Sequence, residues 1–393
     1  MIITENALPV KALGEIIMDL HFSELHKNVC FKKSGGKVIW QPRIGCWIQD
    51  KLFEHGELPG IYKGMSQVDL YQELGCSARI YDYNACFQNV YDGGISYHQE
   101  KKGNTWISRF ETPIGSVTHK EQETPNSWAK LVTKEWIVTE EDMTIFTYIE
   151  QHTNWVFLPE RYEQIRNQWG DLGAPVMYMP RVSIQRLYID LMGVEETVYA
   201  LEDYPETVEL YFEALRSSQM RLVDVICDSP IELINFGDNL HCGTLSPSLF
   251  EKYVLPEYQL RCDRLHQAGK FVYSHFDGDN KSFLPYYQQT GLDGIEAITP
   301  VPQGDVTLEE VKEAMGDMIL LDGIPAIYFD DTYSEEVLIE CVHKLLDLFA
   351  PNLVLGISDE ISSTGDIERI RLVGKIVDEY NARFDETALS MNI

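Results

Sequence analysis

The chain has 393 residues, of which 44% are hydrophobic and 11% aromatic, enough to build a large buried core. Its formal net charge is −30. Such an acidic surface repels phosphate backbones and anionic lipid headgroups, so we expect no nucleic-acid partner and no membrane-surface partner.

The cysteines and the N-terminus indicate a reducing compartment. The eight cysteines form no Cys-x-x-Cys pair, so they predict reduced thiols and not a disulfide scaffold or a zinc ribbon. The N-terminus lacks the basic start and apolar core of a secretory signal. No apolar run approaches the roughly 20 residues that span a bilayer. We therefore expect a cytoplasmic protein.

The N-terminal part of the chain predicts helices around a first strand. Residues 1–35 are expected to be a helical segment, within which 5–30 have the pattern of an amphipathic helix. A short strand is predicted at 37–43. Residues 66–75 predict a further helix, because the segment begins with Ser as an N-cap and ends on Gly.

Residues 77–120 differ in pattern from the rest of the chain. Aromatic and β-branched residues alternate there with polar ones, and Gly-Gly, Gly-Asn and Pro interrupt them. This predicts a meander of antiparallel strands, inserted after the first strand of the main sheet. The aromatics at 81–97 are expected to form the core of this meander and not a ligand cage. Residues 126–170 return to helical periodicity.

From about residue 173 onward, apolar runs alternate with helix-like segments, the pattern of a parallel sheet. The predicted strands are 176–180, 231–237, 271–274, 294–298, 318–325 and 352–360. The predicted helices are 183–192, 205–224, 246–268, 281–290, 307–314, 334–349 and 366–383. With the first strand there are at least seven strands, which predicts a single α/β domain over 1–393, a (β/α)₈ TIM barrel with a β-rich insertion. A doubly wound open sheet is the alternative, but no nucleotide-binding glycine motif follows a strand.

Polar side chains stand at the carboxyl ends of the predicted strands, where such folds carry their chemistry. They are Arg43, Asp238, His241, His275, Asp277, Glu296, Asp322, Asp359 and Glu360. Six of the nine are acidic, so they would repel one another unless a cation lies between them. The candidates for this cation are a metal ion, Arg43 and a basic group of the substrate.

Metal binding and ordinary structural roles compete at these positions. His275 and Asp277 lie on the same side of one strand end, which makes them a plausible ligand pair for zinc or a harder divalent metal. Asp238 is explained at least as well as a cap of the following helix, and His241 as part of a surface loop. Arg43 suits an anion clamp or an ordinary ion pair. No GxSxG elbow is present, so nucleophilic acyl transfer is not expected.

Several segments resemble the uroporphyrinogen decarboxylase superfamily. They are WQPRIGCW, ELPGIYKG, YQELG, FETPIGSV, LSPSLFEKYVLPEY before GKFVYSHFDGD, GLDGIEAITPVPQGDVTLEEVKEAMGD, LLDGIPA and LGISDE with GDIERIRLV. The resemblance covers roughly residues 36 to 383 and implies a (β/α)₈ barrel. The decarboxylases of the superfamily carry an RQAGRY-type arginine motif with a catalytic Asp nearby, whereas WQPRIGCW holds only Arg43. Porphyrinogen decarboxylation is therefore not expected.

The resemblance also extends to the corrinoid-dependent methyltransferases of this superfamily. Those that alkylate a thiol hold zinc with His-x-Cys after one strand and a Cys near the C-terminus. His275 matches the His, Asp277 stands at the first Cys and Asp359 falls near the second, and His241 is a fourth candidate ligand. A His/Asp/Asp metal is a harder Lewis acid, better matched to an oxygen substrate.

The resemblance therefore implies an O-demethylase component (EC 2.1.1 type) that moves a methyl group from a methyl ether, aromatic ethers included, to Co(I) of a partner corrinoid protein. In this hypothesis zinc or another divalent metal polarises the ether oxygen, or Glu296 protonates it. Arg43 and Asp238 are the other catalytic candidates. The expected partners are the corrinoid protein and a small methylated substrate, and a homodimer is left open.

Two other functions remain open at this point. The first is a decarboxylase or lyase acting on a non-porphyrin acid, with Arg43 as carboxylate clamp and Asp277 or Glu296 as proton donor. The second is a barrel that binds a methylated compound or a tetrapyrrole without turnover.

Overall fold

Strands and helices alternate through most of the computed structural model, which describes residues 21–390. The strands are β1 (Ile39–Trp40), β2 (Phe87–Tyr91), β3 (Ser96–Lys102), β4 (Thr105–Thr112), β5 (Gly115–Thr124), β6 (Ser127–Lys134), β7 (Thr153–Phe157), β8 (Val176–Met179), β9 (Leu233–Phe236), β10 (Phe271–His275), β11 (Gly294–Glu296), β12 (Ile319–Ile324) and β13 (Leu353–Ile357). The helices are α1 (Phe22–Cys30), α2 (Gly45–His55), α3 (Gln67–Leu74), α4 (Glu140–Gln151), α5 (Pro159–Trp169), α6 (Ser183–Gln185), α7 (Val194–Asp203), α8 (Pro205–Cys227), α9 (Pro247–Leu249), α10 (Leu255–Gln267), α11 (Leu308–Met315), α12 (Glu335–Phe349) and α13 (Glu368–Ser390). Single π-helical turns continue α6 over Arg186–Leu191 and α9 over Phe250–Val254.

Seven parallel strands form the main sheet in the order β1-β13-β12-β11-β10-β9-β8. The extended segment 77–80 lies between its two edges. The amide of Ser77 donates to the carbonyl of Trp40 in β1 (3.0 Å), and the amide of Ala78 donates to the carbonyl of Leu172 just before β8 (2.7 Å). The predicted barrel is confirmed, with 77–80 in the second strand position.

The barrel strands are buried because helices cover their outer face. Strands β9, β10, β12 and β13 contain only buried residues. Helix α1 closes the N-terminal end of the barrel, where Val29 and Cys30 pack against Ile39 and Phe271. The predicted helix at 5–30 corresponds to α1 over its last residues, and 5–20 lie outside the described residues. The carboxyl ends of the strands are therefore the end at which side chains can meet a ligand.

The antiparallel insertion exists, but its predicted position was wrong by one strand. It consists of a four-stranded sheet, β3-β4-β5-β6, and the pair β2-β7, and it follows the segment 77–80 rather than β1. Its last long strand ends at Lys134, in a region expected to be helical. The sheet is held on the barrel by aromatic packing, with the ring of Phe110 5.3 Å from Trp136 and 6.2 Å from Phe146 of α4.

The other predicted elements agree with the structure, with one exception. The predicted helix at 281–290 is only a 3₁₀ turn, Leu284–Gln289. Among the described residues, no helix combines the length and the apolar character that crossing a membrane would require.

Helix α3 begins with the predicted Ser66 N-cap, and Asp69 completes a reciprocal capping pair with it. The Ser66 hydroxyl accepts the Asp69 amide (3.2 Å), and the Asp69 carboxylate accepts the Ser66 amide (3.0 Å). Replacing Ser66 with alanine is expected to lower the free energy of unfolding by about 1 kcal/mol, measured by urea denaturation. Ser66→Thr keeps a hydroxyl, so its free energy of unfolding should decrease much less. Equal stability of the alanine variant and the wild type would contradict this role.

Candidate active site

Four buried ionisable side chains meet inside the barrel, close to the carboxyl ends of the strands. His275 ends β10 and Glu296 ends β11, and the two lie opposite each other in the sheet register. Asp322 belongs to the next strand, β12. Arg79 reaches the same point from the segment 77–80. Three of these residues were predicted from strand ends, and Arg79 was not.

Arg79 is the cation between the carboxylates. Its Nη2 lies 2.6 Å from Asp322 Oδ1, and its Nη1 lies 3.2 Å from Asp322 Oδ2 and 2.9 Å from Glu296 Oε1. The guanidinium side chain is 3% exposed, and both carboxylate side chains are fully buried. Two parallel hydrogen bonds to one carboxylate are the strongest geometry available to an arginine. One signal in the sequence points to it: Arg79 stands between Ala78 and Ile80, where the barrel pattern lacked its second strand.

Glu296 holds His275 through one ring nitrogen. Nδ1 of His275 lies 2.8 Å from Glu296 Oε2, which also accepts the Asn235 amide (2.8 Å). Tyr178 donates to the other oxygen of Glu296 at 3.5 Å. Nε2 of His275 lies 3.8 Å from the carboxylate of Asp277, too far for a hydrogen bond. The second ring nitrogen therefore remains available on the side of Asp277.

The pKa values of the clustered residues are shifted in opposite directions. Burial raises the pKa of Glu296, but Arg79 and His275 outweigh it and hold this pKa well below its usual range. Burial lowers the pKa of His275 most, and Arg43 also lowers it, but Asp277 and Glu296 together leave it raised. Burial raises the pKa of Asp322, and Arg79 offsets this only in part. His275 and Asp322 therefore hold protons more tightly than usual, whereas Glu296 stays ionised.

Arg43 forms the rim above the cluster. Its Nη1 lies 3.7 Å from Asp322 Oδ2 and 3.3 Å from His275 Nδ1, and its Nε lies 3.6 Å from Glu360 Oε1. This Nε is buried and makes no hydrogen bond to a described residue. The Tyr81 ring, 40% exposed, packs 4.8 Å from the Tyr178 ring. A guanidinium and an aromatic pair thus border the position where a ligand would meet His275.

The backbone is strained at the same place. Asp322 has φ +80° and Ala297, directly after Glu296, has φ +65°. Non-glycine residues in this region cost on the order of 1–3 kcal/mol and gather at functional sites. The strained backbone thus flanks both carboxylates that bind Arg79.

Gly356 in β13 makes room for Asp322. A Cβ at this position would collide with the Asp322 carboxylate and with the carbonyl of Gln41. Gly356→Ala is expected to lower the free energy of unfolding by about 1–3 kcal/mol, measured by thermal unfolding. The control is Gly374→Ala, whose Cβ would meet only Trp40 at 3.6 Å. Equal stability of the two variants would contradict this packing.

The other predicted site residues are engaged locally. Asp238 is fully buried and accepts the amide of Val182 (2.7 Å) and the hydroxyl of Tyr258 (2.5 Å). Both of its oxygens are therefore engaged in contacts within the fold. Nδ1 of His241 lies within its own loop, 3.2 Å from the amide of Gly243. Asp359 is exposed and accepts the amide of the next residue.

The predicted metal ligands do not converge into a metal site. Within residues 21–390, no group of three or more His, Cys, Asp or Glu side chains is arranged to hold a metal ion. His275 keeps Nε2 free beside Asp277, but His241 and Asp359 bond within their own loops and do not complete a ligand set with them. The zinc ligand set expected from the sequence therefore does not fit the arrangement of these side chains.

The family model of uroporphyrinogen decarboxylase (URO-D) matches residues 185–380, about half of the chain. The chain belongs to the uroporphyrinogen decarboxylase superfamily. The region matched by the URO-D model contains His275, Glu296 and Asp322, and it leaves Arg43 and Arg79 outside. No curated protein sequence matches the chain significantly.

Solved structures similar to this URO-D superfamily member share little sequence with it. A methyltransferase from Methanosarcina mazei is 12% identical over 66% of this chain and 75% of its own, with a TM-score of 0.48. A putative vitamin-B12-independent methionine synthase from Listeria monocytogenes is 12% identical over 87% of this chain and 96% of its own, with a TM-score of 0.40. At these scores neither likeness carries a functional argument.

Proposed function

We propose that this superfamily member is a methyltransferase that moves a methyl group from an O-methyl donor to Co(I) of a corrinoid carried by a partner protein. Membership of the superfamily indicates an enzyme, and the sequence motifs resemble the corrinoid-dependent branch. The observation that carries the proposal is the His275–Glu296 pair. Its imidazole is held through Nδ1, is about nine-tenths buried and keeps Nε2 free at the carboxyl end of the barrel.

The chemical difficulty in demethylating an ether is the leaving group. The carbon–oxygen bond breaks with both electrons remaining on oxygen, and the corrinoid supplies the nucleophile that accepts the methyl group. The oxygen then needs a proton. Nε2–H of a protonated His275 donates it, so that a neutral alcohol or phenol leaves, and the proton is later replaced from solvent.

The residues around His275 have separate roles in this reaction. Glu296 was a candidate proton donor, but because Arg79 holds it ionised, it suits orienting His275 and stabilising its positive charge. Arg43 lies beside the imidazole, where it can stabilise negative charge that develops on the leaving oxygen. The Tyr81–Tyr178 pair offers a ring surface for an aromatic ether.

Methyl transfer to free cob(I)alamin tests the proposal directly. The purified protein is incubated with cob(I)alamin and a panel of methyl ethers, methylamines and methyl thioethers. Formation of methylcobalamin with the ethers, together with an equimolar amount of alcohol or phenol, is the expected result. Absence of methylcobalamin with every donor would contradict the proposal.

Decarboxylation of a non-porphyrin acid is the second candidate, and one observation favours it. Nε of Arg43 is buried without a hydrogen-bond partner among the described residues, as a carboxylate-binding arginine would be before substrate arrives. The same imidazole would then protonate the carbanion left by loss of CO₂. Release of CO₂ from small carboxylic acids, without any methyl transfer, would select this function.

The pH dependence of the reaction follows from the raised pKa of His275. The acid form is active, so kcat/KM should fall as pH rises through this pKa, which lies above the ordinary value of 6.5. Glu296→Gln removes a carboxylate that raises the pKa of His275, so the decrease of kcat/KM should occur at lower pH in this variant. The check is a kcat/KM–pH profile of both proteins. A decrease at the same pH in the variant would contradict the assignment.

A further inference from the structure

At the centre of the barrel, the positive charge of Arg79 compensates two buried carboxylates, a role that a metal ion could otherwise have. Two carboxylates, Glu296 and Asp322, come from neighbouring strands and are fully buried. Bringing them together without a cation would be strongly unfavourable. The guanidinium of Arg79 lies between them and bonds to both.

We infer that Arg79 takes the electrostatic place of a divalent metal ion, so that the reaction of this active site is independent of a metal. The identity of the reaction rests on the proposed function. The independence from a metal rests on the contacts of Arg79 with the two carboxylates. In this barrel a fixed guanidinium compensates the buried carboxylates. At the expected metal position only His275 and Asp277 lie together, whereas His241 and Asp359 bond within their own loops.

The contacts of the cluster leave little for a metal ion to bind. Both oxygens of Asp322 receive hydrogen bonds from Arg79. Both oxygens of Glu296 are likewise used, one by Arg79 and Tyr178, the other by Asn235 and His275. A divalent ion would have to displace a guanidinium that is 3% exposed and already paired.

The charge of the cluster leads to the same conclusion. Two guanidinium groups, Arg43 and Arg79, face the two buried carboxylates, which balances the charge. Glu360 and Asp277 remain at the rim, each facing a basic side chain, Arg43 at 3.6 Å and His275 at 3.8 Å.

Metal content of the native protein is the first test. The wild type and His275→Ala are purified without chelator and analysed by inductively coupled plasma mass spectrometry. We expect far less than one divalent metal per chain in both proteins. Near-stoichiometric metal in the wild type that is lost in His275→Ala would overturn the inference.

Removing Arg79 should create the need for a cation, which gives a second test without any activity assay. The melting temperatures of the wild type, Arg79→Ala and Arg181→Ala are measured with and without Mn²⁺ or Zn²⁺. Arg79→Ala should be stabilised by the metal, because Arg43 alone then faces two buried carboxylates. Arg181 pairs with Asp190 and not with the two buried carboxylates, so Arg181→Ala and the wild type should not respond.

The outcomes separate this inference from the proposed function. Equal stabilisation of all three proteins, or of the wild type alone, would overturn the role of Arg79. If Arg79→Ala does not fold, Arg79→Ala/Asp322→Asn removes one of the two charges and should recover folded protein, and the metal content of the wild type decides. Failure to form methylcobalamin would instead contradict the reaction and leave both metal readouts intact.

Discussion

Replacing His275 with glutamine is expected to lower kcat/KM for methyl transfer about 10²–10⁴-fold, the usual contribution of a positioned general acid. Glutamine retains hydrogen-bonding capacity but cannot donate a proton from an imidazolium. The loss should appear mainly in kcat, because the proton moves only as the carbon–oxygen bond breaks. Steady-state kinetics with cob(I)alamin and the ether that reacts best provide the measurement.

A second imidazole–carboxylate pair in the same chain supplies the matched control. His266 Nε2 lies 2.9 Å from Asp293 Oδ2, but this pair is on the surface and away from the Arg79 cluster. His266→Gln should leave kcat/KM unchanged.

Methyl donors with a more acidic leaving alcohol need less protonation, so their kcat/KM should decrease less in His275→Gln. An equal loss for all donors would indicate a structural effect and contradict the acid role.

The barrel was predictable because its strands are buried on both faces. Runs such as 271–274 and 353–357 are mostly apolar and are followed by polar residues, which is the pattern of a parallel strand inside a helical ring. Helix boundaries followed from local caps, as at Ser66. The same reasoning placed His275 and Glu296 on adjacent strand ends, and the structure joins them directly.

The segment 77–80 could not be predicted in the same way. Its alternation of polar and apolar residues matches the antiparallel strands that follow it, so it was assigned to the insertion. The charge of Arg79 is satisfied by Asp322, 243 residues further along the chain. No local pattern reveals such a partner. The insertion was therefore placed one strand too early and the cation of the site was missed.

The roles of the carboxylates also depend on distant partners. A strand-end Asp or Glu has the same local sequence whether it binds a metal, caps a loop or pairs with an arginine. Asp238 bonds to Val182 and Tyr258, whereas Glu296 bonds to Arg79 and His275. Only the three-dimensional contacts distinguish a carboxylate that bonds to the backbone and a tyrosine from one that pairs with an arginine and a histidine.

Removal of Arg79 is expected to have the largest effect on stability. Arg79→Met leaves two buried carboxylates without their cation, and breaking a buried pair in this way costs about 3–5 kcal/mol of unfolding free energy. Arg264→Met is the control, since this arginine pairs with Asp224 at the surface and should lose at most about 1 kcal/mol. Urea denaturation of the three proteins measures the difference.

The pH dependence identifies the origin of this loss. The pKa of Glu296 is depressed in the folded wild type, so its pairing stabilises the fold above the unfolded pKa, roughly 4.3, and that stabilisation is lost as pH falls toward the lower folded value. Arg79→Met lacks this pairing, so the difference in unfolding free energy between wild type and variant should narrow as pH falls below the unfolded pKa of Glu296.

Asp322→Asn added to Arg79→Met should recover part of the stability at neutral pH, because one uncompensated charge is removed. A difference between wild type and Arg79→Met that stays constant with pH, and no recovery in the double variant, would mean that Arg79 contributes by packing and not by its charge.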